Sequence, residues 1–207
     1  MIRQRRHPHA TQDTRRLEAF TDGVFAIAAT LLVLDLTTYA FGDITSDAAM
    51  WAALAGMWEL FLNFGLSFVL LCLLWMTHVQ QFEHVARIDF TLIWLNNARL
   101  LFIVLVPFAT SMTTEYSEFL AGRLLMPVTF FLAIFFSYLQ WMWAVRGREV
   151  FLPDLDEADA RAYGRGALSA VLIAAAVVVL APFIGSVAFL LFLLSGVVDR
   201  LLGAKGD

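Results

Sequence analysis

Six apolar stretches of near membrane-spanning length take up most of the chain. They run from Ala19 to Tyr39, Ala52 to Thr77, Phe90 to Thr110, Phe119 to Val145, Ala167 to Ala181 and Phe183 to Val198. A helix of about 20 apolar residues crosses the hydrocarbon core of a bilayer. Within lipid each separate span must satisfy its own backbone N–H and C=O groups, and the helix does this. The pattern predicts an all-α integral membrane protein with six transmembrane helices in one domain over residues 1–207. The fifth and sixth stretches are parted only by Pro182 and its neighbours. Together they are too long for one crossing, so Ala181-Pro182-Phe183-Ile184-Gly185-Ser186 is read as a turn. Pro107 and Pro127 fall near the ends of the third and fourth spans, where neighbouring helices can re-satisfy the freed backbone groups.

Composition agrees and narrows the function classes. The chain of 207 residues is 60% hydrophobic and 15% charged, with a mean hydropathy of +0.75. A soluble domain carries about 25% charged residues, so a soluble enzyme, a disordered chain and a secreted disulfide scaffold are excluded. Cys72 is the single cysteine, which rules out an internal disulfide and a thiolate metal cluster. The net charge of −4 argues against a nucleic-acid partner, which requires a basic stripe. No glycine-rich phosphate loop and no H-E-x-x-H helix occurs. Neither a cofactor nor a resident metal is expected. The acidic run from Pro153 to Asp159 is read as a solvated turn capping a helix into the fifth span.

Basic residues set the orientation. Arg3, Arg5, Arg6, Arg15 and Arg16 precede the first span, Arg87 follows the second, and Arg146, Arg148, Arg161 and Arg165 follow the fourth. Arg200 and Lys205 follow the sixth, whereas the opposite side holds only Arg123. The positive-inside rule then places both termini in the cytoplasm of a multi-pass plasma-membrane protein. An even number of crossings follows, in agreement with six. Trp51, Trp75, Trp141 and Trp143 lie near span ends and read as interfacial anchors.

The first span departs from a plain hydrophobic helix. Glu18 and Asp22 interrupt its start and Asp35 closes it, which argues against a signal peptide despite the preceding Arg15-Arg16 pair. A carboxylate in a span requires partners. For Asp22 these are the free N–H groups of the helix start, or Arg16 reaching from a neighbouring helix or subunit. At 3.6 residues per turn, Gly23, Ile27, Thr30, Leu34 and Thr37 share one face, flanked by Leu31. Ala26, Ala29 and Val33 are small enough for close helix approach. This pattern suits either a pore-lining stripe or ordinary bundle packing, and periodicity leaves both open. Asn63, Asn96, Asn97 and Arg99 lie inside spans and read as structural glue. Arg99 needs a carboxylate or a water-filled cavity, with Glu59 and Asp22 as candidates. His78 and His84 lie near the cytoplasmic end of the second span, and His78 is read as a hydrogen-bonding group near the Thr21-Asp22 step.

Arg16-x-x-x-Phe20-Thr21-Asp22 resembles the R-x-x-x-F-S-D signature of the transmembrane protein 175 family of potassium channels, with Thr21 in place of serine. The continuation from Gly23 to Asp35 is similar to the family as well. So is a second block comprising Trp75, His78, Phe82, Arg87, Asp89, Asn96 and Pro107-Phe108. The resemblance implies a homotetramer of six-span subunits in the bilayer, with the first helix of each lining a pore for potassium ions. It also implies a channel without the re-entrant T-V-G-Y-G filter. Under the same resemblance Ile27 is the constriction, Leu31 and Leu34 are further pore-lining positions, and Thr30 is the selectivity residue. Arg16, Phe20, Thr21 and Asp22 act in helix packing and assembly, with His78, Asn96 and Arg99 as an accompanying hydrogen-bond network. The function implied is a cation channel modestly selective for potassium over sodium, gated by hydrophobic constriction. The acidic residues Asp35, Asp43 and Asp47 are expected near the outer mouth. A proton-permeable or proton-gated channel is the second reading. A secondary transporter is the third, although the inverted repeats and broken midplane helices it favours are not visible.

Overall fold

The computed structural model describes residues 13–37 and 43–194. The basic residues Arg3, Arg5, Arg6, Arg200 and Lys205 and the far ends of the first and sixth predicted spans lie outside the described residues. The described elements are, in order, α1 (Arg15–Leu36), α2 (Asp47–Gly56), α3 (Trp58–His84), α4 (Phe90–Glu115), α5 (Leu120–Arg146), α6 (Arg148–Phe151), α7 (Glu157–Ile184) and a 3-10 segment (Gly185–Leu194). Among the described residues there is no strand. Five helical runs are long and apolar enough to cross a membrane: α1, α3, α4, α5, and Glu157–Phe192, which joins α7 to the 3-10 segment.

Local chemistry explains the boundaries. Asp89 caps α4 by accepting from the Leu92 N–H at 2.8 Å, and Asp156 caps α7 by accepting from the Asp159 N–H at 2.9 Å. The acidic run is thus a turn whose Asp156 caps α7, as read from the sequence, and that helix begins ten residues before the predicted fifth span. The predicted second span is split. Ser46 accepts from the Ala49 N–H at 3.1 Å and opens α2, the chain breaks at Met57, and α3 restarts at Trp58. No residue of α2 is buried. The helices run through Pro107, Pro127 and Pro182. The end of α7 falls at Gly185, which adopts φ +63°, a conformation that glycine takes without a Cβ penalty. Beyond it, Phe192 lines the same cavity as Ala167 and Ala170, so the chain turns back along α7. The reversal thus lies at Gly185, within the turn read from Ala181 to Ser186, and α7 runs through Pro182.

Hydrophobicity does not drive helices together in lipid; packing and interhelical hydrogen bonds do. One core cluster fills the middle of the bundle, with Phe25, Ala28 and Leu32 of α1 against Leu71, Leu74, Leu100, Ile103, Val106 and Phe130. A second cluster gathers at the end where α1 starts, around Leu17, Phe82, Ile88, Leu92, Trp141 and Leu152. Trp141 is only 2% exposed and its indole N–H donates to the Ala160 carbonyl at 3.2 Å, so it is a core residue and not an interfacial anchor. Hydroxyls join the helices. Ser67 and Thr110 lie 2.7 Å apart, and Ser137 donates to Gln81 at 3.1 Å. The Thr113 hydroxyl donates to the Gly122 carbonyl at 2.7 Å and accepts from the Met126 N–H at 3.2 Å. It thereby bridges the first turns of α5 next to Pro127.

Candidate pore face and the polar layer behind it

Helix α1 packs chiefly on α4 and α3. The side that meets them is Leu17, Thr21, Phe25, Ala28, Leu32 and Asp35, all buried. At 3.6 residues per turn the stripe of Gly23, Ile27, Thr30 and Leu34 falls on the opposite side. Among the described residues it is the open side: Ile27 is 61%, Leu34 54% and Leu31 40% exposed, whereas Phe25 is 4% and Leu32 0%. A Cβ on Gly23 would find open space. Ala26 and Val33, read from the sequence as close-approach positions, are also exposed, because the contacts within the subunit run through Phe25, Ala28 and Leu32.

Thr30 adds polarity to this apolar stripe. Its hydroxyl donates to the Ile27 carbonyl at 2.9 Å, and Thr37 donates likewise to Leu34 at 2.7 Å. Each hydroxyl hydrogen is engaged along the helix. The Thr30 oxygen on the open face therefore has its lone pairs available as an acceptor, the chemistry that suits a cation.

Behind the stripe lies a buried polar layer. Thr21 and Asn96 are both 0% exposed, and Asn96 donates its amide hydrogen to the Thr21 hydroxyl at 2.9 Å. Gln140 of α5 approaches the Asn96 carbonyl oxygen at 3.5 Å. One turn along α4, Arg99 is 0% exposed and donates to the Leu74 carbonyl at 2.6 Å. Its other terminal nitrogen lies 3.3 Å from His78 Nδ1, and its guanidinium carbon sits 5.7 Å from the centre of the Phe25 ring. A guanidinium has no acceptor, so in this contact Nδ1 of His78 is the accepting atom. Glu59 and Asp22, the carboxylates considered from the sequence, are not the partners of Arg99. A carbonyl, an imidazole and a ring face replace a carboxylate, which keeps the cation solvated without burying a counter-charge.

These contacts orient α1. Thr21 is tied to α4, and Phe25 lies under the Arg99 guanidinium. Rotation about the helix axis would break both, so the outward direction of Ile27, Thr30 and Leu34 follows from the bonds on the reverse side. Asp22 is exposed and accepts from the Trp75 indole N–H at 2.8 Å, a partner that a single sequence does not reveal. Arg16 and Phe20 are exposed, and Arg16 forms no ion pair among the described residues. Asp35, expected at an outer mouth, is only 8% exposed and lies on the packed side of α1. His84 lies 3.2 Å from the Tyr163 hydroxyl. No group of three or more potential metal ligands occurs among the described residues.

The comparisons with known proteins identify the family. The family described as endosomal/lysosomal potassium channel TMEM175 matches residues 16–107, which contain α1 but for Arg15, α2, α3 and most of α4. A potassium channel of Streptomyces collinus is 34% identical over 155 residues, covering 72% of this chain and 73% of that protein. The endosomal/lysosomal proton channel TMEM175 of Mus musculus is 34% identical over 137 residues, covering 61% of this chain and 28% of that protein. Among solved structures, the lysosomal potassium-selective channel TMEM175 homolog from Chamaesiphon minutus matches with a TM-score of 0.61 and 28% identity. That match covers 91% of this chain and 94% of the other. The chain belongs to the TMEM175 family of channels.

Proposed function

We propose that this subunit assembles as a homotetramer into a cation channel that passes potassium ahead of sodium, along a path lined by α1. The observation that carries the reading is the α1 stripe: apolar, interrupted by a hydroxyl, and unpartnered in the subunit while the reverse side is packed. Family membership supports the reading, and the relatives' names supply potassium and protons as the ions to test. Each subunit crosses the plasma membrane six times, the last crossing beginning at Gly185, with both termini cytoplasmic.

In this arrangement Ile27 side chains form a narrow apolar ring. Such a ring holds water poorly and gates by dewetting, so conduction requires the α1 helices to rotate or move apart. Leu31 and Leu34 continue the apolar path. Thr30 lies one turn from Ile27 and offers its oxygen where an ion has lost part of its hydration shell. Potassium gives up water more readily than sodium, and one hydroxyl per subunit gives modest discrimination. Arg16, Phe20 and Asp22 are exposed on one subunit and available to its neighbours. The pair Thr21–Asn96 and the pair Arg99–His78 hold α1 in register.

Ion flux tests this. The purified chain in liposomes is expected to carry potassium down a gradient, and sodium more slowly. Thr30→Ala is expected to change the potassium-to-sodium ratio while leaving flux intact. Absence of ion flux would overturn the channel reading. Proton flux without potassium flux would favour the second reading, a proton channel.

A further inference from the structure

Away from α1, a cavity of about 280 Å³ opens at the end of the bundle where α3 and α5 begin and α4 and α7 end. This is close to the lower end of ligand-pocket volumes, about 300 Å³. One cation, Arg123, and one carboxylate, Glu59, line it. The ion pairs within 4 Å among the described residues are Arg15–Asp13 and Arg161–Glu157. The two opposite charges therefore share a cavity without closing on each other.

Arg123 is only partly engaged. One terminal nitrogen donates to the Pro182 carbonyl at 2.5 Å, and the other makes no hydrogen bond among the described residues and is not among the buried side-chain atoms that lack a partner. Asn63 on the cavity wall is occupied by its own neighbours: it accepts from the Ser186 hydroxyl at 2.6 Å and donates to Thr114 at 3.1 Å. The wall thus leaves both charges available. The rim is apolar and open, with Trp58 60%, Leu62 50%, Ile184 49% and Val187 57% exposed. A simple anion would suit Arg123 but would meet Glu59. Two separated charges of opposite sign at the end of membrane spans, above an apolar rim, match a ligand that carries both signs.

We propose that this cavity binds a phosphoethanolamine group, with its phosphate on Arg123 and its primary ammonium on Glu59. The group occurs on zwitterionic lipids, whose acyl chains would follow Leu62, Ile184 and Val187, and on soluble glycerophosphoethanolamine. A choline headgroup has no N–H to donate to Glu59, and a glycerol headgroup has no cation.

Ligand-dependent thermal unfolding of the delipidated full chain in detergent tests the proposal, because a ligand of the folded state raises the unfolding temperature. The probes are short-chain phosphatidylethanolamine, phosphatidylcholine and phosphatidylglycerol, and glycerophosphoethanolamine without acyl chains. Phosphatidylethanolamine is expected to bind about tenfold more tightly than the other two lipids, the ratio that one charge-assisted hydrogen bond supports. Glu59→Gln is expected to abolish that preference. Glu59 is exposed and forms no bond among the described residues, so this variant folds. Arg123→Gln is expected to weaken all three lipids; if loss of the Pro182 contact prevents its folding, Glu59→Gln alone decides. Binding of glycerophosphoethanolamine as tightly as the lipid would identify the soluble compound as the source of the group. Equal binding of the three lipids by the unaltered chain, or a preference that survives in Glu59→Gln, would overturn the proposal. Flux is not read, so the outcome is independent of the channel assignment.

Discussion

Thr21 and Trp75 show how differently two polar contacts of the same helix act. Thr21 is fully buried and receives the Asn96 amide, whereas the Trp75–Asp22 bond lies at the surface. Interhelical hydrogen bonds in membranes contribute about 0.6 to 1.7 kcal/mol, and removing one partner strands the other in a low-dielectric site. Thr21→Val is therefore expected to destabilise the subunit by about 1–2 kcal/mol. Thr21→Ser should retain the bond. Trp75→Phe should fall within about 0.5 kcal/mol of the unaltered chain. Denaturant unfolding in detergent distinguishes them; equal losses for Thr21→Val and Trp75→Phe would contradict the buried role of Thr21. At this scale the sequence was partly legible. The stripe of Ile27, Thr30 and Leu34 follows from helical periodicity, and its outward direction is seen in the subunit. The partners were not legible. Arg99 meets His78, Leu74 and Phe25 rather than a carboxylate because the register between α1, α3 and α4 decides which groups face it, and one chain's spacing carries no information about register.

The helices themselves were legible as elements, since span-length apolar runs in lipid leave few alternatives. Their ends were not. Met57 divides α2 from α3 inside the predicted second span, between Gly56 and the first turn of α3 with Glu59, and α7 runs through Pro182 and stops at Gly185. Hydropathy averaged over a span registers neither boundary to the residue, because both fall within largely apolar sequence. The turn between α4 and α5 is tight for a similar local reason. A Cβ on Gly122 would collide with the backbone carbonyl of Tyr116, which cannot move without opening the turn. Gly122→Ala is expected to cost about 1–3 kcal/mol or more, and to disturb the Thr113 hydroxyl that bridges the Gly122 carbonyl and the Met126 N–H. A lowered unfolding temperature checks this. An unchanged one would mean that the α4–α5 turn relaxes freely.

On the scale of the whole molecule, the subunit is built asymmetrically. Its cores lie between α1, α3, α4, α5 and α7, and the one stripe of α1 that combines apolar side chains with a free hydroxyl oxygen is directed away from them. In the proposed assembly that stripe acquires its function when copies of the chain bring their α1 helices together. Ile27 is its most exposed large side chain, and the constriction is proposed to lie there. The decisive measurement is potassium flux through liposomes containing Ile27→Asn, compared with the unaltered chain at equal protein content. A polar ring would stay wet where an isoleucine ring dewets, so flux is expected to rise. Unchanged flux from a correctly folded Ile27→Asn chain would place the constriction elsewhere and contradict the α1-lined path with its gate at Ile27.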